Sequence, residues 1–161
     1  MLKIGKLKVY GDGKWPRSRA DMKAELRHFS RSLGLDLRFV TRKESDLCWT
    51  QVSTGRAVVC EGVGGQLRNM SEVMFYALHE IAHWIQYNEG MFKGYFGAPY
   101  YDEWKLPTSQ QRMRLALRAE RHADRLSKKL VMELFGALVI GEGIYDDTKT
   151  AKLFLKEHYG A

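Results

Sequence analysis

The residues best suited to chemistry in this chain are His79, Glu80 and His83, in the order H-E-x-x-H. The residues around them, 71–87, read as one helix. Residues four apart on a helix share a face, so the two imidazoles can converge on one metal ion. Glu80 lies one residue round, where its carboxylate can reach a water held by that ion. Two imidazoles, a neighbouring base and an open coordination position are the parts of a hydrolytic zinc site.

The setting adds a physical argument. Val73, Met74, Phe75, Tyr76, Ala77 and Leu78, then Ile81 and Ala82, then Trp84 and Ile85, make the helix apolar nearly all round. Such a helix is expected to be buried. Two histidines and a glutamate in its middle are costly unless something compensates them. A metal ion would do so. The competing reading is a pair of core histidines hydrogen-bonded to carbonyls or carboxylates.

A catalytic zinc site takes three protein ligands and a water, so a third ligand must come from elsewhere. The best candidate is Glu120, in the segment Glu120-Arg121-His122-Ala123-Asp124 of a second long helix. Glu120 and Asp124 are four apart and share a face with the small residues Ala116 and Ala123, which would allow a close approach to the motif helix. Asp124 could accept the outer N–H of a ligating histidine, fixing its tautomer. The alternative is that both acids make surface pairs with Arg118, Arg121 or Arg125. His122 points to a different side of the helix and is a weaker candidate ligand. Asp102 is another.

The elements that must position these residues follow from pattern and punctuation. Residues 6–10 alternate and read as a strand closed by the turn Gly11-Asp12-Gly13. Asp21 can cap a helix running to Leu33, with Met22, Leu26, Phe29 and Leu33 as its apolar stripe and Gly34 as its stop. Strands are expected at 35–41, 47–50 and 56–60, the last offered as the sheet edge beside the site. The glycines at 62, 64 and 65 form no phosphate loop, because no Gly-Lys-Ser/Thr follows. Residues 88–109, rich in Gly, Tyr and Phe, read as an ordered functional loop. Residues 110–135 give the longest helical signal, with Leu115, Ala119, Leu126, Leu130 and Leu134 on its packed side.

Composition sets the outer bounds. The chain has 161 residues, 45% of them hydrophobic, and is most simply a single domain over 1–161. No apolar run approaches about 18 residues, so no transmembrane helix and no membrane partner are expected. The N-terminal residues carry no apolar stretch of signal-peptide length, which points to a cytoplasmic protein. Cys48 and Cys60 are too few for a disulfide scaffold and read as buried free thiols. The net charge of +7 permits binding to nucleic acid or an acidic partner. Arg112, Arg114, Arg118, Arg121, Arg125, Lys128 and Lys129 form the densest cationic group. A solvated helical face is the first reading of it and a nucleic-acid groove the second, since no nucleic-acid-binding motif accompanies it.

The two signals together resemble gluzincin-type metallopeptidases, in which a motif helix is followed by a helix carrying a glutamate ligand. Within that group, His79-Glu80-Ile81-Ala82-His83 and Glu120-x-x-Ala123-Asp124 resemble the ImmA/IrrE-like metallopeptidases of phages and bacteria. That resemblance implies a small intracellular enzyme acting on protein substrates such as repressors. It covers under half of the chain. The stretch between the helices is long, Asp124 stands where that family often has Asn, and no DNA-binding helix-turn-helix is seen. A second resemblance is to the elongation factor P hydroxylase family, carried by His79 to Trp84 and the aromatic Gly94-Tyr95-Phe96 and Tyr100-Tyr101 loop. It implies iron and an oxygen-dependent hydroxylation.

The expected protein is therefore an α+β domain with a zincin-like core: a small mixed sheet packed on the motif helix and on a following glutamate-bearing helix. Its expected function is zinc-dependent hydrolysis of a peptide bond in an intracellular protein or peptide substrate. His79, His83 and Glu120 would hold Zn²⁺, Glu80 would act as general base, Asp124 would brace a histidine, and Tyr100 or Tyr101 could donate to the oxyanion. The alternatives are an Fe²⁺-dependent protein hydroxylase and a non-enzymatic, metal-stabilised binding protein of phage or plasmid origin.

Overall fold

The elements run β1 (Leu2–Ile4), β2 (Leu7–Val9), α1 (Arg19–Ser32), β3 (Asp36–Arg42), β4 (Trp49–Gln51), β5 (Arg56–Val63), β6 (Gln66–Leu67), α2 (Met70–Asn88) and α3 (Gln110–Phe135). They come from a computed structural model, in which residues 1–92, 110–137, 149 and 151–153 are described. The class is α+β, with a small mixed sheet and helices packed on it. Tyr100, Tyr101 and Asp102 lie outside the described residues.

The helices α1 and α2 begin and end for local reasons. The cap of α1 is Ser18, whose hydroxyl accepts from the Asp21 backbone N–H. Asp21, expected as the cap, instead lies in the first turn, where its charge favours the helix N-terminus. Gly34 follows the helix at φ +78°, a conformation that costs glycine little. Asn69 caps α2 by accepting from Glu72 N–H, and its amide donates back to the Glu72 carboxylate at 2.7 Å. At the other end, Gly90 N–H bonds to Tyr87 O and Met91 N–H to Gln86 O, with Gly90 at φ +69°. This is the Schellman arrangement, which satisfies carbonyls the helix leaves open.

The sheet differs from the expected one in an informative way. Its order is β3-β5-β4, with β3 parallel and β4 antiparallel to β5, and β6 also pairs β5 antiparallel. Thus β5, offered from the sequence as the edge beside the site, is the central strand. Its burial agrees: residues 57–62 are all buried, because both faces are covered. The edge next to α2 is β4, which pairs only with β5 among the described residues. Order along the chain could not decide this, since a short hairpin strand can return to either side of its neighbour.

A strand not anticipated, β1, pairs with β2 around Gly5 (φ +54°) in a separate hairpin. Its alternation of Leu2 and Ile4 is too short to stand out by periodicity. The hairpin rests near the end of α3, where the Met1 ammonium meets Glu133 at 2.8 Å.

The core lies where α1, β3, β5, α2 and α3 meet. Met22 and Leu26 from α1, Leu37 and Val59 from the sheet, Met74, Leu78 and Ile81 from α2, and Leu130 and Phe135 from α3 are all buried there. Trp84 ties α2 to the end of α1 by donating to Leu33 O at 2.7 Å. Ser127 ties α3 to α2 by donating to Phe75 O at 2.6 Å. The first holds α2 against α1 and the second holds α2 and α3 side by side. Met74, fully buried and away from the histidines, tests that packing: Met74→Ala is expected to cost about 2–5 kcal/mol in urea unfolding. A loss below about 1 kcal/mol would show that α2 is not packed as described.

Candidate metal centre

The close contact of α2 with α3 depends on small residues. Ala116, Ala119 and Ala123 of α3 are buried, and the Gln86 side chain of α2 reaches the Ala119 carbonyl. That closeness carries Glu120 to the histidines across 41 positions of sequence. The His79 Nε2 and His83 Nε2 atoms are 3.1 Å apart. Glu120 Oε2 lies 2.9 Å from the first and 3.2 Å from the second. All three residues are buried, and each offers one ligand atom to a common point.

The outer nitrogens explain why this is more than crowding. His79 Nδ1 is 2.8 Å from Asp124 Oδ1, and a carboxylate can only accept there, so Nδ1 carries the proton. His83 Nδ1 is 3.0 Å from Gln86 Oε1. The Gln86 amide is oriented by its other atoms. Its Nε2 donates to Ala119 O at 2.9 Å and contacts His122 Nδ1 at 2.8 Å, which leaves Oε1 to accept from His83. With both Nδ1 atoms protonated, both Nε2 atoms turn lone pairs inward, towards the Glu120 carboxylate. Three electron-rich atoms facing one another at about 3 Å repel unless a cation lies among them.

A metal ion fits that requirement. Tetrahedral zinc bonds of about 2.0–2.1 Å imply ligand-to-ligand separations of about 3.3 Å. The observed edges of 2.9, 3.1 and 3.2 Å are close to that value. The donor set, two imidazoles and one carboxylate, suits zinc and also suits iron.

Proton affinities carry the same message. Burial pulls the pKa of His79 down, but its hydrogen bonds to Asp124 and Glu120, with the charges of those groups, outweigh it and raise the group well above its ordinary value. In His83 burial is again opposed and outweighed by the Glu120 charge and hydrogen bond, for a net rise. Burial pushes the Glu120 carboxyl up, yet His83 and His79 hold it far below the usual carboxylate range. The pocket wants positive charge, whether it is a proton or a metal.

Glu80 faces a different neighbour. Thr50 Oγ1, on the edge strand β4, is 2.6 Å from Glu80 Oε2 and 2.9 Å from Glu80 O. The hydroxyl has one proton, and the shorter contact marks the carboxylate as its acceptor. Burial raises the Glu80 pKa, while the charges of His79 and His83 and the Thr50 bond oppose the rise without cancelling it. The carboxylate is thus dry, anchored and near enough to the histidines to feel them.

Five sequence-derived residues therefore come together: His79, His83 and Glu120 as a triad, Asp124 behind His79, and Glu80 beside them. His122 is not in the triad. It sits beyond Gln86, its pKa lowered by burial and by Arg125. Gln86 and Thr50 were not anticipated. Gln86 had a signal available, since a residue three after His83 on the same helix can reach back to it. Thr50 had none, because its role depends on where β4 lies. The thiols take no part: Cys48 is pushed up to about 12, mainly by burial, and Cys60 donates to the Gly62 carbonyl at 3.2 Å.

Comparison with known proteins supplies no family: no protein-family model, curated protein or solved structure matches the chain. Among the described residues, no helix is long and apolar enough to cross a membrane.

Two measurements test the centre. In calorimetric titration with Zn²⁺, Asp124→Ala and Gln86→Leu are each expected to weaken binding about 10- to 100-fold, because each frees one histidine to rotate or change tautomer. Unchanged affinity in both would remove their bracing role. The second is pH. Raised histidine pKa values stabilise protein stripped of metal below about pH 6.5, and that stability is lost as pH rises through the folded values. The raised Glu80 acts in the same direction above its ordinary 4.5, and the depressed Glu120 withdraws its contribution only below that value. The melting temperature of stripped protein should therefore fall as pH rises above about 6.5, while the stabilisation by added Zn²⁺ grows.

Proposed function

We propose that this protein is a zinc-dependent metallopeptidase with a zincin-like site, acting on an intracellular protein or peptide. The observation that carries the reading is the convergence of His79 Nε2, His83 Nε2 and Glu120 Oε2 within 3.2 Å, beside a buried Glu80. Fold class and motif order favour the same reading, as does the resemblance to ImmA/IrrE-like metallopeptidases.

His79, His83 and Glu120 would hold Zn²⁺. When bound, the ion supplies a Lewis acid for the scissile carbonyl and lowers the pKa of a water towards about 7. Glu80 is the proton carrier. Its raised proton affinity suits it to take a proton from the attacking water and deliver it to the leaving amine. Thr50 aims the carboxylate, and β4, the edge of the sheet among the described residues, is where an extended peptide could add as a strand. Tyr100 and Tyr101, outside the described residues, stay the candidates for the oxyanion donor from sequence order alone.

One observation favours a second reading. Two histidines and one carboxylate are also the ligand set of Fe²⁺-dependent oxygenases, so a protein hydroxylase fits the triad. Glu80 separates the two. A dry carboxylate anchored beside the metal has a task in hydrolysis and none in oxygen activation.

Elemental analysis of protein purified without added metal, alongside Glu120→Ala, decides the metal. Stoichiometric zinc, lost in the variant, is the expected result; iron would favour the hydroxylase, and no metal would favour a non-enzymatic binding protein. Glu80→Gln should keep its metal and lose about 10²- to 10⁴-fold in turnover of a quenched-fluorescence peptide library. Full activity in that variant would end the general-base assignment.

A further inference from the structure

The helix that supplies Glu120 and Asp124 has an opposite face of another character. Its acids in this stretch, Glu120 and Asp124, are turned inward and buried. Arg114, Arg118, Arg125 and Lys129 are exposed, with Arg121 and Lys128 half-buried between them on the same side. At 1.5 Å per residue these cations run along about 22 Å of one rigid helix. A solvated helical face normally mixes signs at four-residue spacing, since opposite charges there attract and like charges repel. Here Arg114 and Arg118, Arg121 and Arg125, and Arg125 and Lys129 are like-charged pairs at that spacing. Arg114, Arg118, Arg125 and Lys129 form no ion pair among the described residues. The other face of α3 is packed on α2, so the helix cannot rotate to spread the charge.

We propose that this face of α3 binds the phosphate backbone of duplex nucleic acid without sequence preference. A straight cationic row matches a stiff, regular row of phosphates, and arginine pairs with phosphate through two parallel N–H donors. The segment from Arg114 to Lys129 has no Phe, Tyr or Trp, and the half-buried ring of Phe92 beside it is already engaged by Arg118 and His122, which argues against a single strand stacking its bases there. It has no Asn or Gln to read base edges, which argues against sequence specificity. A protein partner would need an apolar anchor, and the only exposed large apolar residue on α3 among the described residues is Met132, beyond the end of the row. The surface is separate from the metal centre, so its failure and that of the enzymatic reading are independent.

The test is fluorescence anisotropy with a mixed-sequence DNA duplex of about 20 base pairs, over a range of salt concentrations. The variants are Arg114→Gln/Arg125→Gln/Lys129→Gln, which keeps helix propensity, and a control that removes equal charge elsewhere, Lys14→Gln/Arg17→Gln/Lys43→Gln. The helix variant should weaken binding at least about tenfold at low salt and flatten the plot of log affinity against log salt by about 3, one for each lost contact. Its zinc stoichiometry and melting temperature should match the parent. The control should bind nearly as the parent does. The proposal is overturned if no duplex binds at low salt, if the two variants weaken binding equally, or if polyglutamate binds more tightly than the duplex, which would assign the face to an acidic protein.

Discussion

Everything around the centre follows from one electrostatic constraint: three buried electron-pair donors are held at about 3 Å from one another. Such an arrangement cannot persist in an apolar interior without positive charge among the donors. The surrounding structure is built to keep it. Asp124 and Gln86 lock the outer nitrogens so that neither ring can turn its lone pair away. Alanines between α2 and α3 let the backbones approach closely enough for one glutamate oxygen to reach both rings. The bond from Ser127 fixes the register of that approach, while Trp84 anchors α2 to the end of α1. Remove the approach, and Glu120 becomes a surface acid in an arginine-rich helix.

The two long helices divide the labour unequally. α2 is buried on nearly every side and carries the parts that must stay dry: both histidines and Glu80. α3 is two-faced. Its acids Glu120 and Asp124 point inward at the histidines and its bases point out, so a single element separates opposite charges by its own width. The sheet serves α2 from the remaining side. Through Thr50 it reaches the carboxylate that the two-helix contact leaves unbraced.

Much of this was legible in the residues alone, and the part that was not has a common cause. Spacing along one helix is a local property, so His79, Glu80 and His83, and separately Glu120 and Asp124, could be placed on shared faces from sequence. The joining of the two groups followed from the ligand count that zinc demands. The ends of the helices were readable to within a residue or two, Gly34 marking one by its backbone freedom, but α1 starts three residues before the position that Asp21 as cap implied. Sheet order is a non-local property. The apolar run in β5 looked like an edge beside the site, yet its double burial is what a central strand requires, and the true edge, β4, is three residues long and half polar. Thr50 was invisible for the same reason. Ser18 and Asp21 are both of residue types that cap helices, and only geometry chooses between them.

Gln86 joins two functions in one residue. Its backbone carbonyl closes the end of α2 by accepting from Met91, and its side chain holds His83. The length of chain from His83 to Gly90 is consequently a gauge. One residue added or removed between His83 and Gln86 would swing the amide about 100° round the helix axis, away from the imidazole. Drift in this stretch can exchange side chains but not change their number, and the segment that leaves α2 after Gly90 must always depart from the same side of the centre.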